Sequence, residues 1–200
     1  MKHSNASNEY SKRHAECQQA LSILSKYNSS IKTYRDVTLN DLESFESCLN
    51  IDQYTRARHV VMEIQRVLQT IEILNKYNSI LTSSNKHHDN NNNSINEKNI
   101  QFDWSELGRL LTQSHVSLKN DFEVSCSELD EIVDIALEQN GVYGARMVGA
   151  GFGGSSIIMV ESKVADIVEE TILAEYFKRT NGKVATAIQT TISHGPIIHS

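Results

Sequence analysis

The sequence predicts an α+β fold in which helices cover an antiparallel sheet. Apolar residues recur at helical spacing through most of the first 140 positions. Two β-branched runs, over residues 143–148 and 155–160, flank a Gly-rich stretch and indicate paired strands. A further helical pattern is followed by an alternating run at residues 183–192, which predicts another strand. Strands joined by a hairpin and a helix, beneath a layer of helices, give an α+β sandwich.

Helix signals organise the first 80 residues. A helix is predicted to start at Asn8, and Thr38 followed by Asp41 predicts the N-terminus of a second one. A longer helix is predicted over residues 53–81 from its apolar repeat. The basic run RARH, residues 56–59, opens this helix, and we interpret it as a solvated or ion-paired face.

The second half carries comparable boundary signals. Asp103 is predicted to cap a helix, Ser127 a further one, and Ser162 the last. Gly141 is predicted to end the Ser127 helix in the left-handed conformation. Between the two halves, residues 83–99 contain a single apolar residue, so this tract is predicted to be a disordered loop.

Composition excludes several classes of function. The chain has 200 residues and a net charge of −6, with no basic run that could follow a phosphate backbone, so we expect no nucleic-acid partner. Its three cysteines form no metal-ligand pattern and are expected to be reduced thiols. No run approaches the roughly 18 apolar residues of a membrane span. We therefore expect a cytoplasmic protein without a membrane partner.

The Gly-rich stretch at residues 144–156, GARMVGAGFGGSS, holds five of the nine glycines. Glycine permits positive φ and close approach of backbone N–H groups to a ligand, which suits phosphate. A dinucleotide fingerprint would need a helix directly afterwards, whereas SSIIMV predicts a strand. Two interpretations remain: a phosphate-binding loop, or a hairpin whose glycines serve only turn geometry.

Four blocks of the sequence closely resemble the galactokinase branch of the GHMP small-molecule kinases. They are KHSNASNEYSKRHAEC, YTRARHVVMEIQRV, SHVSLKNDFEVSCSELDEIV and VYGARMVGAGFGGSSIIMV, in the family's order. Val148 stands where the family usually has Thr, and Ser155 where it usually has Cys. The resemblance implies the family's C-terminal domain, a ferredoxin-like antiparallel sheet layered with helices.

The same resemblance implies a sugar kinase that uses ATP and Mg²⁺ to convert galactose to galactose 1-phosphate in the Leloir pathway. It implies that Tyr10, Gly149 and Gly151 contact substrate, although Tyr10 could instead pack the first predicted helix onto the core. The residues implied to support the phosphate loop are Ala150, Phe152, Gly153 and Gly154.

The family's N-terminal half, with its main ATP loop and catalytic Asp, has no counterpart in these blocks. Residues 1–8 are therefore expected to be a remnant of that half, and residues 9–200 to form the C-terminal domain. We name no catalytic base and no metal ligand in the chain, and we expect it to be inactive alone, with the missing half as its partner. Two alternatives stay open: a non-catalytic galactose-sensing homologue, and a kinase for another sugar such as N-acetylgalactosamine.

Overall fold

The computed structural model describes residues 3–85 and 102–191. Within these ranges the chain forms six α-helices and one pair of antiparallel strands. The helices are α1 (His3–Tyr27), α2 (Leu39–Ser44), α3 (Ile51–Asn85), α4 (Trp104–Asn120), α5 (Ser127–Leu137) and α6 (Ala165–Arg179). The strands are β1 (Val142–Val148) and β2 (Ser155–Val160), joined by the Gly-rich loop, residues 149–154.

The predicted α+β class is confirmed, but the strand predicted at residues 183–192 is wrong over 183–191, where the backbone has no regular structure. Its largest apolar residues are not buried, since Val184 and Ile188 are 79% and 93% exposed. A strand needs a hydrogen-bonded neighbour, and in the described part of the chain β1 and β2 pair only with each other. Residue 192 lies outside the described residues.

Helix starts follow the sequence signals unevenly. At α2, Thr38 Oγ1 accepts from the Asp41 N–H at 3.1 Å, and the Asp41 carboxylate accepts from the Thr38 N–H at 2.9 Å, as predicted. The start of α1 at His3 lies five residues before the predicted one. Helix α3 continues to Asn85, so residues 83–85 of the predicted loop are helical, and residues 86–99 lie outside the described residues.

Two predicted caps are wrong. Cys126 occupies the N-cap of α5, and the Ser127 hydroxyl donates to the Glu128 carboxylate instead. A 3₁₀ turn at Ser162–Val164 precedes α6, so Ser162 caps nothing there. Asp103 does cap α4, accepting from the Ser105 N–H at 3.0 Å.

Buried apolar residues form two main clusters. The helical cluster joins α1, α2 and α3 and consists of Ala20, Leu24, Ile31, Val37, Leu42, Ala57 and Val61. The sheet cluster packs α5 and α6 against one face of the strands and consists of Val133, Ile135, Ala136, Ala145, Val168, Ile172 and Tyr176. Tyr10, by contrast, is 51% exposed on α1.

Helix α4 covers the free edge of β1 and connects the two clusters. The Ala145 N–H donates to Thr112 Oγ1 at 3.3 Å, and the Met147 N–H donates to His115 Nδ1 at 3.2 Å. Side chains of α4 thus satisfy edge donors that would otherwise attract another strand. The two backbones approach closely at Gly108, where a Cβ would lie 1.9 Å from the Tyr143 carbonyl oxygen.

Candidate functional site

The Gly-rich loop has an unusual backbone. Five of its six residues have positive φ: Gly149 (89°), Gly151 (88°), Phe152 (60°), Gly153 (125°) and Gly154 (109°). Residues with side chains rarely adopt this region, so the sequence of glycines is what allows the chain to reverse here. Successive residues of this kind can turn several N–H groups toward one side, which is the geometry of an anion-binding concavity.

The glycines of the loop fall into two classes. A Cβ at Gly149, Gly153 or Gly154 would meet nothing within 4 Å. A Cβ at Gly151 would lie 2.1 Å from the Val124 carbonyl oxygen. Gly149, Gly153 and Gly154 border space that a ligand can occupy. A glycine is required at position 151 because the Val124 carbonyl oxygen leaves no room for a side chain. A substrate contact at Gly151 would therefore use its backbone.

Phe152 anchors the loop to the rest of the protein. Its N–H donates to the Val124 carbonyl oxygen at 2.7 Å, and its ring packs on a small buried cluster that contains Met147. The Arg13 guanidinium of α1 lies 5.9 Å from the centre of this ring. Tyr10 precedes Arg13 by three residues on the same helix, so both side chains emerge on neighbouring positions of one face.

Four of the predicted site residues thus have a defined setting. Tyr10 and Gly149 are exposed, Phe152 is half-buried, and Gly151 packs on Val124. Val148, one of the two departures from the family pattern, is 44% exposed at the end of β1 beside Gly149. The described residues contain no group of three or more His, Cys, Asp or Glu side chains that could hold a metal ion. We therefore assign no Mg²⁺ ligand among the described residues.

The burial of the charge nearest the loop turn was not identifiable from the sequence. Arg56, in the RARH run, is 1% exposed, and its guanidinium contacts Glu16 Oε2 at 3.1 Å and Glu123 Oε2 at 2.6 Å. The ion-paired interpretation of this run is therefore correct for Arg56. Its partners were not identifiable from spacing, because they lie 40 and 67 residues away in the chain.

A histidine, a serine and an aspartate also meet beside the site. His59 Nδ1 lies 2.9 Å from Ser117 Oγ, which donates to Asp121 Oδ2 at 2.9 Å. In a catalytic triad the carboxylate accepts from the histidine, and the histidine takes the proton of the serine. Here the carboxylate accepts from the serine, so this arrangement does not activate the serine as a nucleophile. Burial lowers the pKa of His59 to about 4, and its neutral ring stacks on Phe122 with ring centres 4.5 Å apart.

Sequence comparison identifies the domain. Residues 95–179 match the family profile described as GHMP kinases C terminal. The chain carries the C-terminal domain of a GHMP kinase. The Gly-rich loop and both strands of the sheet lie inside the matched region, whereas α1, α2 and α3 precede it.

Similarity to individual GHMP kinases extends beyond that region. The chain is 35% identical to galactokinase from Bos taurus over 176 residues, 88% of this chain and 37% of the relative. It is 35% identical to galactokinase from Thermotoga maritima over 179 residues, 90% of this chain and 41% of the relative. The chain thus spans about two fifths of the length of these relatives.

A solved structure gives the same result for the fold. The chain superposes on Lactococcus lactis galactokinase, crystallised in complex with galactose, with a TM-score of 0.65. The two sequences are 26% identical, and the match covers 86% of this chain and 38% of the other. In the part of this GHMP kinase domain that the structure describes, no helix is both long and apolar enough to cross a membrane.

Proposed function

We propose that this chain is the C-terminal part of an ATP-dependent galactokinase, which phosphorylates the anomeric hydroxyl of D-galactose to galactose 1-phosphate. The observation that carries the proposal is the identity of about 35% to galactokinases over nearly nine tenths of the chain. A match of this length includes α3, which the general kinase profile does not cover. The enzyme would work in the cytoplasm and supply galactose 1-phosphate to the Leloir pathway.

In this proposal the Gly-rich loop closes the site in which the sugar hydroxyl meets the terminal phosphate of ATP. Phosphoryl transfer depends mainly on positioning and on stabilising the charge of the transferred group. The open backbone at Gly149, Gly153 and Gly154 would provide N–H donors and room for the phosphate oxygens. Tyr10 and Gly151 would bound the sugar, and Ala150 and Phe152 would support the loop. ATP would bring Mg²⁺ with it, and we assign no ligand for that ion among the described residues.

The decisive experiment is a sugar panel on the complete gene product, including any residues encoded before Met1. Galactose, N-acetylgalactosamine and glucose are incubated with ATP and Mg²⁺, and the sugar 1-phosphate is measured. We expect galactose 1-phosphate as the main product. Preferential phosphorylation of N-acetylgalactosamine would favour a kinase for that sugar, and binding of galactose without turnover would favour a sensor.

The 200-residue chain alone provides the matched control. We expect it to form no galactose 1-phosphate, because no catalytic base or principal ATP loop is assigned to it. Turnover by the purified 200-residue chain would contradict this division of labour.

A further inference from the structure

Two arginines from different helices hold the turn on which the Gly-rich loop rests. The turn, residues 121–124, follows α4 and contains Glu123, whose φ of 52° is unusual for a residue with a side chain. A backbone in this region persists only where the surrounding structure enforces it. The contacts of the four carbonyl groups of the turn show what enforces it.

The first three carbonyls accept from guanidinium groups. Arg56 Nη1 donates to the Asp121 oxygen, while Arg13 donates to the Phe122 oxygen from Nε and to the Glu123 oxygen from Nη2, both at 3.3 Å. The fourth carbonyl, of Val124, accepts from the Phe152 N–H of the loop at 2.7 Å. The same Val124 oxygen is the atom that leaves no room for a Cβ at Gly151.

The two guanidinium groups are themselves fixed. Arg56 is 1% exposed and pairs with Glu16 of α1 and with Glu123 of the turn. Arg13 is 7% exposed and pairs with Glu9 of α1, with its charge over the Phe152 ring. A planar fork that serves a carboxylate and a carbonyl together is a geometry available to arginine and not to lysine.

We propose that Arg13 and Arg56 are positioning residues that set the Gly-rich loop by clamping the 121–124 turn. Displacement of the turn would move the Val124 oxygen away from Phe152 and Gly151. The loop would then shift, and the open glycines Gly149, Gly153 and Gly154 would shift with it on the ligand side. The consequence for catalysis rests on the proposed function, but the clamp itself does not. It assigns a positioning role to the buried ion pairs that join α1, α3 and the turn.

Hydrogen exchange of the Phe152 amide tests the clamp on the 200-residue chain, with the Ala145 amide of β1 as internal reference. Two variants loosen the turn from opposite sides: Arg13→Gln, and the double variant Glu16→Gln with Arg56→Gln, which leaves no unpaired buried charge. We expect the Phe152 amide to exchange about tenfold faster or more in each, relative to Ala145. Arg66→Gln is the matched control, since Arg66 is also buried on α3 but pairs with Glu63 away from the turn.

An equal acceleration at Phe152 and Ala145 in the clamp variants would mean global loosening and would overturn the proposal. So would an unchanged Phe152 amide. In the complete protein, Arg13→Gln should lower kcat for galactose about tenfold with little change in KM, whereas Arg66→Gln should leave both unchanged. The clamp would stand if the Phe152 amide alone exchanges faster in the clamp variants. If the complete parent protein then phosphorylates no sugar, only the proposed function is overturned.

Discussion

Gly149 and Gly151 form a matched pair, because their φ values of 89° and 88° differ by only one degree. The strain of a side chain at positive φ, about 1 kcal/mol, is therefore common to both. Only Gly151 faces a backbone oxygen within 4 Å of its Cβ position. We predict that Gly151→Ala lowers the free energy of unfolding by about 1–3 kcal/mol more than Gly149→Ala does, as overpacking does elsewhere. Urea unfolding of the two variants measures the difference, and equal losses would contradict the assigned contact.

His59 makes the stability of the fold depend on pH. Burial lowers its pKa in the folded protein from 6.5 to about 4, so the unfolded chain binds a proton more readily. Stability is therefore fully present above pH 6.5 and falls as the pH drops toward 4, by about 1.4 kcal/mol per pH unit from this group. Burial also lowers the pKa of His115, which adds a loss of the same sign.

We predict that His59→Gln, which retains a hydrogen-bonding side chain for Ser117, is less sensitive to acid than the parent. Urea unfolding at pH 7 and pH 5 gives the two free energies for each protein. The parent should lose on the order of 2 kcal/mol more than the variant over this interval. Parallel losses in the two proteins would show that His59 titrates normally.

At the scale of elements, the contact between α4 and β1 requires a glycine at position 108, although glycine is unfavourable within a helix. Replacing Gly by Ala in the middle of a helix normally stabilises it by about 1 kcal/mol. At Gly108, however, the new methyl group would lie 1.9 Å from the Tyr143 carbonyl oxygen, a backbone atom that cannot move without displacing β1. We predict that Gly108→Ala destabilises the protein by at least about 2 kcal/mol.

Gln113→Ala, at an exposed position of the same helix, is the control for this variant and should change stability by less than about 0.5 kcal/mol. Thermal and urea unfolding of both proteins provide the comparison. A stabilised Gly108→Ala protein would show that α4 and β1 are further apart than the structure places them.

Elements were predictable where local chemistry decides them. Thr38 with Asp41 specifies a helix start through contacts within four residues, and the strands flanking the Gly-rich loop were predicted at nearly their observed bounds. Ser127 and Ser162 offered the same local signal and are not caps, because α5 already begins at Ser127 and a 3₁₀ turn separates Ser162 from α6. The alternation at residues 183–191 failed for a related reason, since a strand requires a partner that no local pattern specifies.

The site shows the same limit. The glycines were identifiable from composition and spacing, but the division between open glycines and the packed Gly151 depends on Val124, 27 residues away in sequence. Arg56 was visible only as part of a basic run, because its carboxylate partners come from α1 and from the turn after α4. Long-range pairing of charges leaves no periodic trace in a sequence.

At the scale of the whole molecule, the middle of α3 presents an apolar stripe to solvent. Val67, Leu68, Ile71 and Leu74 are 58%, 60%, 47% and 42% exposed. These residues belong to the apolar repeat that predicted the helix, but the helical cluster on α3 ends at Val61. Contiguous exposed apolar residues favour association, so we expect the 200-residue chain to self-associate at high concentration.

Light scattering after size exclusion tests this expectation. The double variant Leu68→Lys with Ile71→Lys should shift the chain toward monomer, because it places two charges within the stripe. The control replaces two isolated exposed residues, Val116→Lys and Ile167→Lys, and should leave association unchanged. Equal effects of the two double variants would indicate that added charge, and not the stripe, governs association.

The most direct test of the account is the rate of galactose 1-phosphate formation by the complete protein and its Gly149→Ala variant. The structure places open space, and in our proposal the phosphate, beside this residue. We predict that the parent phosphorylates galactose and that Gly149→Ala lowers kcat about tenfold or more. The same substitution should lower the free energy of unfolding by only about 1 kcal/mol. A variant that loses stability but keeps the full rate would show that the loop serves turn geometry alone, and a parent without galactose kinase activity would contradict the proposed function itself.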